Sequence, residues 1–341
     1  LLNPATSDLY GLTYRSQPAR TMTAQEIDFN KYYSQPGIRA YGKKKNLVMV
    51  YAEGLERTYF DESIFPGLIK GLRGLEALGT TFTNVIQVEY TGWTMGGLVA
   101  SQCGIPLVTT YRENNSMVGM DRYLASATCL TDLLFEKNYY NVFYGGANRV
   151  FAGKGLFLDT HNYQETHGEE DLRAKLFDKS YLSGWGLYDD SMLDLSYKRF
   201  LELSEKDGNF ALVNLTLDTH PPKGHPSWRC KDIKYGDGSN QMLNSVACSD
   251  HLITNYVKKV LASSYASDTV VVIASDHLAF NNTAIDLLKK GNRRNMFIVI
   301  DPDSEPAVID RLSSTLDYGS TILPYIGFDG NIGLGRDVSD I

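Results

Sequence analysis

Cysteine is scarce in this chain of 341 residues. There are four, Cys103, Cys129, Cys230 and Cys248, and no two stand as Cys-x-x-Cys. That argues against zinc-ribbon and thioredoxin-like chemistry. No apolar run approaches the roughly 18 residues of a membrane-spanning helix. A signal-peptide pattern and an initiator Met are missing as well. The chain opens at Leu1-Leu2-Asn3 and reads as a soluble domain cut from a longer protein, with room for a membrane anchor upstream. Positive charge is in deficit. Lys and Arg number 33 against 40 Asp and Glu, a net charge of -7, which speaks against a nucleic-acid binder or a polybasic membrane binder. The run Lys43-Lys44-Lys45 reads as a solvated turn. Repeats, low-complexity tracts and Pro/Ser-rich linkers are also lacking. One large domain is therefore expected over 46–341, preceded by a polar, Tyr- and Arg-rich N-terminal arm over 1–45.

What is present is an ordinary globular balance, 43% apolar and 21% charged. Short continuous apolar runs alternate with helical periodicity. Leu47 to Ala52, Asn84 to Val88, Tyr139 to Tyr144, Phe210 to Leu217, Thr269 to Ala274 and Asn295 to Ile300 read as strands covered on both faces. Phe65 to Leu78, a segment from Thr94, Leu130 to Lys137, Ser191 to Leu203 and Ser249 to Ser263 read as helices. This alternation predicts an α/β/α sandwich around a mostly parallel sheet. The even cysteine count fits two disulfides in an oxidising compartment. Cys230 pairs best with Cys248, because the polar segment between them gains from closure, and Cys103–Cys129 follows by elimination; four buried free thiols are the other reading.

Four stretches just past apolar runs carry chemistry: Glu53-Gly54, Thr91 to Gly97, Asp218 to Pro222, and Ser275-Asp276-His277. In an open α/β sheet the carboxyl ends of parallel strands share one edge, where ligands bind. Asp276 and His277 could together hold a cation, and Glu53 repeats the strand-end setting. Taken singly, a loop Asp, a surface His or an acid leaving the core would explain them. Thr94 is the candidate nucleophile, with Gly92, Gly96 and Gly97 allowing close approach and a helix N-terminus aimed at a phosphate. A threonine hydroxyl needs metal coordination to become nucleophilic; otherwise Thr94 is a plain N-cap. Thr91 is its rival. His220 could protonate a leaving alkoxide or simply sit in a Pro-rich loop. Asn148, Arg149 and Lys154, with Trp93, are candidates for the substrate side or for solvent. His161, His167, His225 and His251 lack a strand-end setting and read as surface residues.

With those residues in place, the chain resembles the alkaline-phosphatase superfamily. More narrowly it is similar to its glucan-modifying phosphoglycerol transferases, relatives of the lipoteichoic acid synthases. The marks are Tyr-Ala-Glu-Gly-Leu-Glu-Arg-Thr-Tyr-Phe-Asp-Glu (51–62), Gly-Trp-Thr-Met-Gly-Gly-Leu-Val-Ala-Ser-Gln-Cys-Gly-Ile-Pro (92–106), Phe-Ala-Gly-Lys (151–154), Trp-Gly-Leu-Tyr-Asp-Asp (185–190), Asp-Thr-His-Pro (218–221) and Ser-Asp-His-Leu-Ala-Phe-Asn-Asn (275–282). The resemblance implies metal ligands at Glu53, Thr94, Asp276 and His277 and a substrate histidine at His220. It also implies a basic substrate residue at Lys154, where the lipoteichoic enzymes carry Arg. Gly54 and Pro221 depart from the family pattern, which often has Ser and His there. The Cys103-Gly-Ile-Pro-Leu segment lacks the spacing and the Arg of a sulfatase nucleophile motif. No His follows His277, which favours one cation rather than two, Mn²⁺ first, with Mg²⁺ and Zn²⁺ as alternatives.

The expected activity is a metal-dependent phosphotransfer that moves glycerol phosphate from phosphatidylglycerol, or from a phosphoglycerylated glucan, to periplasmic osmoregulated β-glucans through a glycerophosphoryl-threonine. The expected setting is the bacterial periplasm, tethered to the inner membrane, with no nucleic-acid partner. Two alternatives remain: a phosphodiesterase or lipid head-group hydrolase that uses water, and a non-catalytic glucan- or lipid-binding module.

Overall fold

The computed structural model describes residues 31–109, 117 and 119–339. Its strands in chain order are β1 (Ser34–Ala40), β2 (Asn46–Ala52), β3 (Thr80–Ile86), β4 (Tyr140–Gly145), β5 (Glu165–His167), β6 (Leu182–Ser183) and β7 (Gly186–Leu187). β8 (Phe210–Leu215), β9 (Thr269–Ser275), β10 (Asn295–Ile300), β11 (Ala307–Ile309), β12 (Ser313–Ser314) and β13 (Phe328–Gly333) follow. Nine of them form one sheet in the order β11-β3-β10-β9-β2-β8-β4-β5, with β12 also beside β3. β10 is antiparallel to both its neighbours, and every other pairing in that sheet is parallel.

β2 shows why the sheet is covered twice. Its side chains alternate between faces, as strand geometry requires. Val48, Val50 and Ala52 join a core with Leu193 and Phe200 of the Asp189–Ser204 helix and Ile253 and Val257 of the Gln241–Leu261 helix. Leu47, Met49 and Tyr51 join the opposite core with Leu98 and Val99 of the Thr94–Cys103 helix and Leu133 and Leu134 of the Leu130–Glu136 helix. Hydrophobic demand on both faces produces the expected sandwich, α/β with helices on each side.

Several boundaries moved for identifiable reasons. The helix expected over Phe65 to Leu78 shortens to Gly71–Glu76. Pro66 and Gly67 interrupt it, and the Asp250 carboxylate accepts the N–H groups of Lys70, Gly71 and Leu72 at its mouth. The helix expected from Ser249 begins at Gln241, where Asn240 Oδ1 caps Leu243 N–H at 3.2 Å. β3 starts at Thr80 rather than Asn84, because Thr80, Thr81 and Phe82 are buried strand residues. Lys45 is not in a solvated turn: it is 5% exposed and ion-paired with Asp301 and Asp303. Of the arm expected over 1–45, residues 1–30 lie outside the described residues; Ser34–Ala40 pairs antiparallel with β13.

Both disulfides join the expected partners, Cys103–Cys129 and Cys230–Cys248. The second ties the segment after β8 to the Gln241–Leu261 helix across 18 residues of sequence. Replacing both Cys230 and Cys248 by Ser is expected to cost about 3 kcal/mol in denaturant unfolding, from the entropy of the loop it releases. A loss below ~1 kcal/mol would mean that helix packing alone holds that segment.

Candidate metal centre and active site

The parallel register assembles the site. β2 pairs with β9 so that Ala52 lies opposite Ser275, and the next residues, Glu53 and Asp276, emerge together at the carboxyl edge. His277 follows at once. Its Nδ1 lies 2.8 Å from the Leu278 carbonyl and donates there, which turns Nε2 toward the two acids. Nε2 stands 3.4 Å from Glu53 Oε1 and 3.4 Å from Asp276 Oδ2. All three atoms are buried, and none has a hydrogen-bond partner among the described residues. Asp276 is oriented by its other oxygen, which accepts Gly54 N–H at 2.9 Å and His277 N–H at 2.8 Å. Gly54 makes this turn with φ +54, a left-handed conformation that glycine adopts without strain. Glu53 is steadied by its own N–H, which donates to Thr216 Oγ1 at 3.0 Å.

Thr94 arrives from β3. It is the first residue of the Thr94–Cys103 helix, and Trp93, in extended conformation, is the N-cap. Its hydroxyl donates to Glu53 Oε2 at 3.3 Å. A Cβ on Gly97 would lie 1.8 Å from the Asp276 carbonyl oxygen, so only glycine lets this helix press its N-terminus against the cluster. The rival Thr91 is fully buried and donates to the Val88 carbonyl at 2.8 Å, away from any reaction. A buried glutamate, aspartate and histidine with unpartnered atoms on one point, all within 4.8 Å of one another, are what a divalent cation satisfies. The other close grouping among the described residues, Cys103, Cys129 and His161, is closed by the disulfide.

Electrostatics agree with that fit. Burial would raise Glu53, but the His277 charge beside it brings the carboxyl down to about 2. Burial and the Glu53 charge push Asp276 well above the carboxylate range. Burial would lower His277, yet Asp276 and Glu53 carry it up to about 10. Protons thus do in the protein alone what a cation would do when bound.

A cavity opens beside the cluster, lined by Glu53, Trp93, Thr94, Lys154, Trp185 and His220, among others. Lys154 starts the Lys154–Thr160 helix and is 4% exposed; burial lowers it to about 8, with Glu53 opposing the fall. His220 packs on the Trp185 indole with ring centres 3.8 Å apart, and its Nδ1 faces the Pro221 carbonyl at 3.0 Å. Asn148 and Arg149 are not among the lining residues. Asn148 Oδ1 accepts Val150 N–H at 2.8 Å, and Arg149 pairs with Asp159 at 2.6 Å. Trp185 and Phe151 were assigned no role from sequence, yet both line the cavity and meet edge-on at 6.0 Å. Trp185 stands in the quoted Trp-Gly-Leu-Tyr-Asp-Asp stretch, but no chemistry was legible there. His161 is not a surface residue: it is 1% exposed between Asp132 and the Tyr123 carbonyl.

Two further acids hold the His220 loop. Asp189 accepts the N–H groups of Leu217 and Asp218 at 2.7 and 2.9 Å, and Asp218 accepts Asp189 N–H at 3.2 Å and the Ser227 hydroxyl. Burial pushes Asp189 up to about 7, and burial with the Asp189 charge pushes Asp218 well above the usual carboxylate range.

A family model described as Sulfatase matches residues 45–328. The chain belongs to the sulfatase family. Over 314 residues it is 42% identical to phosphoglycerol transferase I of Escherichia coli, matching 91% of this chain and 41% of that protein. It therefore spans less than half the length of these curated relatives. Among solved structures, an alkaline phosphatase superfamily protein from Vibrio parahaemolyticus aligns with TM-score 0.73 at 21% identity, over 93% of this chain and 74% of that one. The lipoteichoic acid synthase LtaP from Listeria monocytogenes aligns with TM-score 0.70 at 17% identity, over 89% and 79%. These two likenesses are of fold. In this sulfatase-family chain the helix mouth carries Thr94, and Cys103 is locked in a disulfide.

Cation binding should release protons, because His277 below about 10 and Asp276 must both give theirs up. Apparent Mn²⁺ affinity is expected to rise between pH 6 and pH 8, with about one to two protons released, read by calorimetry in buffers of different ionisation enthalpy. Affinity independent of pH would rule this donor set out. Asp189→Asn should lower stability by about 1–3 kcal/mol in thermal unfolding, since an amide NH₂ would face a backbone N–H. Asp218→Asn should cost less, because the Ser227 hydroxyl can turn to accept.

Proposed function

We propose that the chain is the catalytic domain of a metal-dependent phosphoglycerol transferase. The observation that carries the reading is the Thr94 hydroxyl at a helix mouth, hydrogen-bonded to Glu53 beside three unpartnered metal-type donors. The 42% identity to phosphoglycerol transferase I supports the choice of group transferred. The donor is phosphatidylglycerol or a phosphoglycerylated glucan, and the acceptor is a hydroxyl of an osmoregulated β-glucan. The setting is the bacterial periplasm, on a chain anchored to the inner membrane; the two disulfides support an oxidising compartment.

Glu53, Asp276, His277 and Thr94 would hold one divalent cation, Mn²⁺ by preference for three oxygens and one nitrogen, with Mg²⁺ or Zn²⁺ as substitutes. The cation supplies charge neutralisation at phosphorus and acidifies the hydroxyl. Thr94 Oγ1 attacks phosphorus and displaces the diacylglycerol oxygen, which leaves with a proton. An acceptor hydroxyl then attacks the same phosphorus, loses its proton, and Thr94 recovers its own. His220 is the group for both proton movements: its Nδ1 faces the Pro221 carbonyl, leaving Nε2 to exchange a proton. The Lys154 ammonium and the free N–H groups of the Thr94–Cys103 helix balance the phosphate charge. Trp185 and Phe151 make the wall apolar, which disfavours water as the acceptor.

Thr94→Ala should cut transfer of labelled glycerol phosphate from phosphatidylglycerol to β-glucan by at least about three orders of magnitude while Mn²⁺ still binds. Intact mass of the wild type should show a glycerophosphoryl adduct that discharges onto glucan. Free glycerol phosphate released at the same rate with and without glucan would establish a hydrolase instead. Full turnover by the Ala variant would remove Thr94 from the mechanism.

A further inference from the structure

The backbone around His220 is fixed, but its ring needs a separate support. Gly224 N–H donates to the His220 carbonyl at 3.0 Å, and His225 N–H donates to the Asp218 carbonyl at 2.6 Å, so the loop is closed on itself. The imidazole has one hydrogen bond, from Nδ1 to the Pro221 carbonyl at 3.0 Å. One such bond fixes one nitrogen and leaves the plane of the ring undetermined, because the last torsion of a histidine is broad. A group that exchanges protons with alkoxides has to keep Nε2 on a single line of approach.

Trp185 supplies the missing support. Its indole centre lies 3.8 Å from the centre of the His220 ring, the shortest separation between aromatic rings among the described residues. Both side chains line the cavity beside Glu53 and Thr94. An indole face against one side of the imidazole blocks the rotation that the Pro221 bond permits.

The indole is itself held from several directions. β6 and β7 pair with Ser183 opposite Gly186, which leaves Gly184 and Trp185 as a two-residue hairpin turn. Trp185 N–H donates to Ser183 Oγ at 3.2 Å, and that hydroxyl donates to the Gly186 carbonyl at 3.1 Å. The hairpin is fastened to the end of β4: Gly186 bridges Ala147, and Leu187 N–H donates to the Gly146 carbonyl at 3.0 Å. Gly186 has φ +136, and a Cβ there would lie 2.1 Å from the Gly146 carbonyl oxygen, so the close approach requires glycine. Phe151 meets the indole edge-on. Asp189, just beyond the hairpin, and Asp218, just before His220, exchange backbone N–H groups and set the spacing of the two segments.

We propose that Trp185 is a positioning residue that holds the His220 imidazole in its line for proton transfer. The inference rests on the transferase reading and deepens it, since it assigns to the wall of the cavity a part in the chemistry besides the exclusion of water.

The test is a double-mutant cycle on the 341-residue chain with Mn²⁺, a short-chain, water-soluble phosphatidylglycerol as donor and β-glucan as acceptor. Trp185→Leu is expected to lower kcat about a hundredfold, with KM for the donor within about twofold of the wild type and cooperative thermal unfolding retained. Trp185→Phe, which keeps a flat ring, should restore most of the rate. In a His220→Ala background Trp185→Leu should change nothing further, because its effect runs through that ring. Equal losses in the two backgrounds, a rise in KM alone, or an unchanged kcat would each overturn the proposal. Proton NMR reads the contact without turnover. The His220 ring signals, assigned by their disappearance in His220→Ala, should lie upfield under the indole ring current and return to ordinary positions in Trp185→Leu. Absence of that shift would overturn the positioning role whatever the activity. The shift in a wild type that transfers nothing to glucan would support the positioning of His220 and remove the transferase reading. Transfer by the wild type that is indifferent to Trp185→Leu would do the reverse.

Discussion

Everything at the site depends on the parallel pairing of β2 with β9. With Ala52 fixed opposite Ser275, Glu53 and Asp276 have to leave the sheet side by side, and His277 closes the triangle above them. A slip of one residue would turn each of these strands over and send its side chains to the wrong face. The register is secured from both sides, because Val48, Val50 and Ala52 serve one core and Leu47, Met49 and Tyr51 the other. Hydrophobic burial thus places two acids in contact, at a cost that only a proton or a cation can offset.

That cost is carried by the loops around the cluster. Glu56, fully buried, accepts Arg293, the Thr58 hydroxyl and Ala279 N–H, and so ties the segment after Glu53 to the segment after His277. Ser275 Oγ donates to the Leu55 carbonyl and accepts Met296 N–H, which binds β10 into the same network. The donors are therefore held in place by the protein's own hydrogen bonds. Across the cavity, the Asp189–Asp218 exchange does the equivalent for His220 and Trp185. The two walls are built independently, one by strand register and one by reciprocal carboxylate caps.

Much of this was legible in the residues. β10 was read to the residue, and β2 and β9 to within one, because continuous Val, Ile and Leu runs have few alternatives in a sheet covered twice. The strand-end acids and His277 were legible as candidates for the same reason, since polar residues directly after such runs emerge at one edge; Thr94, past β3 by several residues, was marked instead by its glycines and a helix start. The failures were of another kind. The helix expected over Phe65 to Leu78 was cut short, and its remaining turn is capped by Asp250, nearly 180 positions away. Lys45 was taken for solvent and is buried by Asp301. His161 was taken for surface and is enclosed by Asp132 and Tyr123. Each error concerns a polar group whose partner lies far off in the chain.

By itself the sequence determined the layers, the direction of most strands and the edge at which chemistry could occur, because these follow from local periodicity and from where apolar runs stop. It also determined the residue types that meet at the candidate cation site. Only the tertiary structure decided that the rings of Trp185 and His220 would meet, that Arg149 would turn to Asp159 rather than into the cavity, and that Phe177 and Trp228 would stand exposed. The physical reason is that burial and exposure are properties of assembled surfaces. A side chain's neighbours along the chain set its secondary structure, while its charge state, its partner and its contact with water are set by segments that only folding brings together.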